Sequence, residues 1–455
     1  MLPPGPTAPS VVTLYRWLDH PYEFLEDCRD RYGDTFTLHF AGLPKLAMYS
    51  RPEDVKDIFA DDGDLLHAGE FNLSLRAFLG DHSVLMLDGA EHMRHRKLLL
   101  PPFHGERMQA YGQTMLDIAD ASIDEWPLYA PFALHARMQA ITLQVILRTV
   151  FGLDVASRLE QFDDALTRVL DLATWPPLLI PAMQTDLGRF SPWGRYLRRR
   201  SIADGMLLSE IRQRRVEGAR GRRDVLSLLL EARDEQGRPM TDEELQGELI
   251  TLLIAGHETS ATALAWTFRW LLAKPELTAR VQDELAGAEA QGPLTAERVA
   301  KLELLDAVAR ESLRLQPVVP LVGRILKRPS RVGGFDLPAG MGVVCSIYLA
   351  QRRASIYPNP GEFDPDRFLG KKFSPNEFFP FGGGVRRCIG MAFALYEMKM
   401  VLARVLARTT LALASPRPVR VVRRNITMTP SEGLRVRLVE RRPRASVAQR
   451  ATAAE

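Results

Sequence analysis

Residues 241–275 specify a rod. Thr241-Asp-Glu-Glu244 is a capping box, a threonine at the N-cap answered by a glutamate three residues on. The apolar helical pattern then runs to Ala273 and stops before Pro275. About 32 residues at ~1.5 Å each give roughly 48 Å, long enough to cross the whole molecule. The middle of this helix reads Leu252-Leu-Ile-Ala255-Gly256-His257-Glu258-Thr259-Ser260. A glycine and a carboxylate inside an apolar helix are poor local choices, and such conflicts mark functional sites. The Thr259 hydroxyl can compete for the carbonyl of Ala255, one turn back, and open a local groove. Glu258 beside it can relay protons. His257 is assigned to another side of the helix and given no ligand role.

A second stretch carries the chemistry: Phe381-Gly-Gly-Gly384-Val-Arg386-Arg-Cys388-Ile-Gly390, followed by a helical pattern from Ala392 to Arg408. Gly382, Gly383 and Gly384 allow positive φ and a tight turn. The following helix aims its free N–H groups at the sulfur, and Arg386 adds a nearby positive charge. That arrangement suits a thiolate that holds a metal, although most lone cysteines are inert core residues.

The pattern Phe-x-x-Gly-x-Arg-x-Cys-x-Gly is filled by Phe381, Gly384, Arg386, Cys388 and Gly390. It resembles the haem-ligand loop of the cytochrome P450 family, the haem-thiolate monooxygenases. Ala255-Gly256-x-Glu258-Thr259 resembles the same family's oxygen-activation motif, with Glu258 where many bacterial relatives have Asp. The resemblance runs from Tyr32-Gly-Asp34 to about Val439, and Lys97–Arg107 looks like a cyanobacterial and myxobacterial subgroup that oxidises fatty acids, alkanes and terpenes.

The family implies a mainly α fold with small β sheets (α+β), a triangular helix-rich prism with the long helix and the haem in its core. It implies non-covalent haem b on the Cys388 thiolate, whose electron donation favours O–O cleavage, and O2 as co-substrate. Glu258 and Thr259 become an acid–alcohol pair, with Ala255 and Gly256 giving the helix close passage. His92 and Arg96 share a helix face and, with Arg386 and Arg324, are candidates for the haem propionates. Phe381, Gly382 and Gly390 complete the cofactor loop. Glu311 and Arg314, alone a pair of little worth, match the family's Glu-x-x-Arg helix with Arg367 as third partner; they serve folding and haem retention.

The resemblance also places a greasy substrate pocket on Phe71, Leu75, Leu85, Leu179, Leu252, Ala255, Val318, Val319, Leu321 and Met428. Trp175–Pro181 reads as an apolar lid. Arg76 is the cation in an apolar stretch that could hold a fatty-acid carboxylate. The implied substrate is a hydrophobic small molecule such as a fatty acid, terpenoid or steroid-like compound. No Gly-x-Gly-x-x-Gly or second cysteine set is present, so electrons must come from a separate ferredoxin or flavodoxin and its reductase. Arg94, Lys97, Arg107 and Arg387 are the candidate docking cations. A peroxide-using enzyme of the same fold and a non-catalytic haem sensor remain the rival readings; neither needs the acid–alcohol pair.

Composition narrows the rest. The chain of 455 residues is 46% hydrophobic and 25% charged, with a net charge of +3, which gives no electrostatic case for nucleic acid. Cys28, Cys345 and Cys388 lie far apart, without Cys-x-x-Cys, which fits a reducing cytoplasm. Met1-Leu-Pro-Pro-Gly-Pro is no signal peptide, and no 18-residue apolar run occurs, so no membrane anchor is predicted. The prolines at the start resemble the hinge that follows the anchor in membrane-bound relatives, which points to a soluble bacterial monomer. Three segments follow: an extended leader over 1–20, one catalytic domain over 21–440, and a disordered tail over 441–455.

Overall fold

The structure, a computed structural model, describes residues 1–444 apart from 62, 104, 154, 174–177, 179–182, 219–220 and 425. The long helix is Asp242–Ala273, and both halves of the Thr241/Glu244 capping box are formed. It packs against Leu134–Thr149, Pro192–Glu217, Glu303–Leu315 and Met391–Arg408. Its flanks are apolar almost all round, so it is buried nearly throughout, and the largest core cluster surrounds it.

The main sheet lies to one side. Its strands run in the order Thr35–Leu38, Leu46–Tyr49, Gly342–Ser346, Leu321–Leu326, Leu66–His67. A hairpin over residues 35–49 is its outer edge, antiparallel with Thr35 opposite Tyr49. Leu46–Tyr49 then pairs parallel with Gly342–Cys345. Two separate strands follow near the C-terminus. Thr427–Pro430 pairs with Val421–Arg424, whereas Arg435–Arg441 joins Thr409–Leu413 and Pro131–Ala133. The break between them holds Glu432 and Leu434 at positive φ.

Both chain ends differ from the sequence reading. The predicted extended leader contains a helix, Ser10–Asp19, with Trp17 buried against Phe40. Ahead of it, the carbonyls of Pro3 and Pro4 accept from Thr37, from Oγ1 and the backbone N–H, both at 2.8 Å. An apolar stripe on the helix and two free carbonyls on the proline segment give the leader something to bury and something to bond. At the other end Arg441 still belongs to a strand, the Arg442 N–H donates to Arg408 O at 2.7 Å, and Arg444 pairs with Asp124. The predicted disordered tail is therefore anchored through residue 444; residues 445–455 lie outside the described residues.

A buried ionic lock fixes the segment that leads to the cysteine loop. Glu311 and Arg314, both fully buried on Glu303–Leu315, meet through two bonds of 2.7 and 2.8 Å. Arg314 also donates to the carbonyls of Gln351, Pro360 and Glu362. Glu311 Oε1 accepts from the Asp364 N–H at 2.9 Å and lies 3.5 Å from Arg367 Nε. One carboxylate thus holds two arginines and a backbone amide. Glu311→Ala would leave two guanidinium groups in the core without their anion and is expected to cost roughly 3–5 kcal/mol. Urea unfolding measures it, and a loss below about 1 kcal/mol would contradict the assignment.

Candidate active site

The cysteine loop is shaped by what it must pass. Gly382 and Gly384 have φ of 67° and 63°, whereas Gly383 is extended. Gly383 is glycine for space: a Cβ there would sit 2.1 Å from Phe59 Cδ2. A Cβ on Gly384 would sit 2.1 Å from Phe59 O. The Cys388 N–H donates to Phe381 O at 2.9 Å, closing the turn, and Gly390 is the N-cap of Met391–Arg408. Cys388 and Phe381 line a cavity of about 980 Å³. Burial pushes the Cys388 thiol up, and the Gly390 N–H, Arg96 and Arg387 pull it back.

Arg386 is taken up by partners of its own. It donates to Val84 O at 3.2 Å and Leu87 O at 2.5 Å and pairs with Asp88, which leaves it on the cavity wall but turned to the 84–88 segment. Burial lowers it to about 10. The short-range help for the thiolate comes from Arg96 and Arg387 instead. His92 and Arg96, on Gly89–Leu99, both line the cavity, and neither pairs with a carboxylate among the described residues. Burial, then Arg386 and Arg96, lower His92 to about 3, so it is neutral near pH 7. Arg324 is buried behind the glycine run rather than on the cavity wall, its guanidinium 5.1 Å from the Phe59 ring and 3.4 Å from Gly383 O.

On the long helix, Ala255 is the residue most open to the cavity. Gly256 also borders it, but its missing side chain faces Ile146, whose Cδ1 would be 3.2 Å from a Cβ. Ala255 therefore gives close passage to a ligand, and Gly256 gives close passage to helix Leu134–Thr149. Thr259 Oγ1 donates to Ala255 O at 2.5 Å, the back-bond read from the sequence. Glu258 turns away from the cavity centre. Its Oε2 accepts from Gln139 Nε2 at 2.7 Å, and its Oε1 lies 3.7 Å from both His135 Nε2 and Arg424 Nε. Burial raises its carboxyl, against Arg424 and Gln139. Arg424 borders the cavity on one side and a surface recess of about 220 Å³ on the other, and His135 lines that recess too. Nothing in the sequence flags Gln139, His135 or Arg424, which come together only by folding. His257 is buried against Thr142 Oγ1, 3.0 Å away.

The predicted pocket is half assembled. Leu75, Leu85, Leu252, Ala255, Val318 and Val319 line the cavity. Phe71, Leu321 and Met428 do not. Phe71 packs on Gly323, where a Cβ would sit 2.2 Å from the Phe71 Cζ, and all three pack in or against the N-terminal core cluster. Their strand neighbours Val322 and Thr427 take the cavity side, because successive strand residues point to opposite faces. Phe78 and Leu79, from the same stretch as Leu75 and Leu85, also line the cavity, as does Thr251. Leu179 and the Trp175–Pro181 lid, apart from Leu178, lie outside the described residues. Arg76 is exposed and paired with Asp81, away from the cavity. Arg94 is held by Asp234 at 2.8 Å and Glu244 at 2.7 Å and is largely buried, whereas Lys97, paired with Glu235 at 2.5 Å, stays exposed. Arg387 is exposed; nothing is described of the Arg107 side chain.

A fold in which a long helix faces a cysteine loop across one internal cavity defines a haem-thiolate architecture. The cytochrome P450 family model matches residues 3–436, and the chain belongs to that family. It is 40% identical to cytochrome P450 135B1 of Mycobacterium tuberculosis over 96% of this chain and 91% of that protein. It is 38% identical to cytochrome P450 135A1 of the same species over 97% and 96%. Among solved structures, retinoic acid-bound cyanobacterial CYP120A1 aligns with a TM-score of 0.83 at 26% identity, covering 96% of this chain and 99% of that one. The cytochrome P450DA haem domain aligns at 0.85 and 26%, covering 97% and 98%. The protein is a monooxygenase of the bacterial type that uses haem b on a thiolate and O2. No described helix is long and apolar enough to cross a membrane. The residues fit the cofactor: a cysteine open to a large cavity, and a cation and an imidazole on its wall without carboxylate partners.

Burial lowers His257 to about 3, so it is neutral in the fold and takes a proton on unfolding below its ordinary 6.5. Its contribution to stability is therefore lost as pH falls from the unfolded value toward the folded one. His257→Gln is expected to lessen the loss in urea stability between about pH 7 and about pH 5 by about 2 kcal/mol. An unchanged difference would show that His257 takes up protons equally in the folded and unfolded chain.

Proposed function

We propose that this monooxygenase inserts oxygen into a hydrophobic substrate without a charged head, with electrons from a separate acidic redox protein. The observation that carries the reading is the cavity wall, where Thr259, Ala255 and Glu258 border the same space as Cys388 and the rest is mostly aliphatic and aromatic. Bound there, the haem supplies an iron whose thiolate ligand favours O–O cleavage. Cys388 would hold it, Phe381 would keep water from the sulfur, and His92 and Arg96 would receive the carboxylates.

Thr259 keeps its hydroxyl on the Ala255 carbonyl, which loosens one helical bond and leaves polar atoms facing the cavity. Glu258, held by Gln139 with His135 and Arg424 close by, can accept protons from the recess side and pass them to the Thr259 side. A peroxide-dependent enzyme or a haem sensor would not need this pair.

Leu75, Phe78, Leu79, Leu252, Val318 and Val322 favour a lipophile. Arg76, the one cation considered for a fatty-acid carboxylate, faces solvent and already has Asp81. CYP120A1 was solved with retinoic acid, a terpenoid lipophile that itself carries a carboxylate, so that likeness supports the size of the guest and not its charge. Terpenes and steroids are therefore preferred over fatty acids.

Thr259→Ala is expected to keep consuming electron donor while product falls and hydrogen peroxide rises. Product yield per donor consumed measures this, and unchanged coupling would remove Thr259 from the mechanism. Cys388→Ala should abolish both turnover and the red-shifted Soret band of the ferrous carbonyl form. Reduction by a ferredoxin or flavodoxin should slow as salt rises, since an exposed cation such as Arg387 steers an acidic partner only over about 10 Å at ~0.1 M salt. Stopped-flow reduction that is indifferent to salt would move the docking face elsewhere.

A further inference from the structure

A buried acid–imidazole pair lies beside the cavity and takes no part in the chemistry above. Glu248, on the long helix, is fully buried, and its Oε1 lies 2.7 Å from His95 Nδ1, itself buried on Gly89–Leu99. His95 sits between His92 and Arg96 in sequence. At ~100° per residue, it lies about 60° around the helix from His92, on the flank away from Arg96. Glu244, one turn before Glu248, adds a second carboxylate 3.4 Å from His95 Nε2.

The same turn of the long helix holds the 82–84 segment. Gly247 packs on His82, where a Cβ would come within 3.1 Å of the His82 Cβ. Thr251 Oγ1 lies 2.8 Å from Ser83 Oγ. The Val84 amide acts on the Glu248 carboxylate, and the Val84 carbonyl accepts from Arg386. Glu248 thus meets helix Gly89–Leu99, which carries His92 and Arg96, directly, and the support of Arg386 through the Val84 amide. Its Oε2 has no hydrogen-bond partner among the described residues. A carboxylate buried with so few close partners adds little stability over apolar side chains of similar volume.

We propose that the Glu248–His95 pair is a positioning device for cofactor carboxylates. It fixes the rotation of Gly89–Leu99 against the long helix, so that His92 and Arg96 point together at the propionates while Arg386 is held in register through Val84. This rests on assigning His92 and Arg96 to the cofactor's carboxylates.

The test is the rate at which holoenzyme loses its cofactor to excess apomyoglobin, for haem and for haem dimethyl ester, whose carboxylates are blocked. His95→Leu should lose haem about tenfold faster than the parent, and His95→Gln, which keeps a donor for Glu248, within about threefold. The diester should leave the parent and His95→Leu equally fast. If His95→Leu strands the Glu248 charge and fails to fold, the double variant Glu248→Leu/His95→Leu removes both polar groups and carries the same comparison. Equal acceleration for haem and diester would mean general loosening and would overturn the proposal, as would an unchanged rate for haem. If the unmodified protein loses haem and diester equally fast, the assignment of His92 and Arg96 fails, and the proposal falls with it.

Discussion

Phe59 is packed where the cysteine loop must turn. Its ring fills the space a side chain on Gly383 would occupy, and its carbonyl fills that of Gly384. The ring meets Phe379 edge-on at 5.4 Å and carries the Arg324 guanidinium on its face. These contacts leave the chain one path between Phe379 and Cys388, with two residues at positive φ. The bond from the Cys388 N–H to Phe381 O then aims the sulfur into the cavity. Position, rather than a prepared charge, is what the protein gives this sulfur. Burial favours the thiol, and a bound metal cation would favour the thiolate.

Two of the buried ionic networks bear on the cavity, with different tasks. Glu311, Arg314 and Arg367 lock the segment that delivers the loop from one side of the cavity. Glu248, His95 and Glu244, with Arg94, join helix Gly89–Leu99 to the start of the long helix on the other. Both sets combine residues distant in sequence, so each forms only when the tertiary fold is complete. Such networks add little net stability over apolar packing, but they penalise misplacement strongly. A cofactor pocket gripped from two sides needs that sensitivity to geometry.

What the sequence revealed follows from how local each signal is. The long helix was legible to the residue because a capping box and a proline bracket it. The cysteine loop was legible because five fixed residues fall within ten. The pocket was legible only as segments: Leu321 and Met428 belong to the right strands, yet the pleat turns their neighbours Val322 and Thr427 to the cavity. Arg386 and Arg76 were assigned from type and neighbourhood, whereas Asp88 and Asp81 decide where their charges go. The leader helix was missed because prolines at 3, 4, 6 and 9 mask the amphipathic turns after them. Gln139, His135 and Arg424 carry no motif, and no reading of the chain alone could gather them around Glu258.

Arg424 stands between the cavity and the recess lined by His135, Ser431 and Glu432. The acid beside Thr259 therefore has a neighbour in contact with bulk water on the far side of the wall from the aliphatic chamber. Hydration of the acid and admission of an oily guest need not share one doorway. Enlarging the chamber toward Leu75 and Phe78 should thus alter which molecules enter while leaving the acid's water supply untouched, a separation that suits a scaffold whose guest can change while its proton plumbing stays fixed.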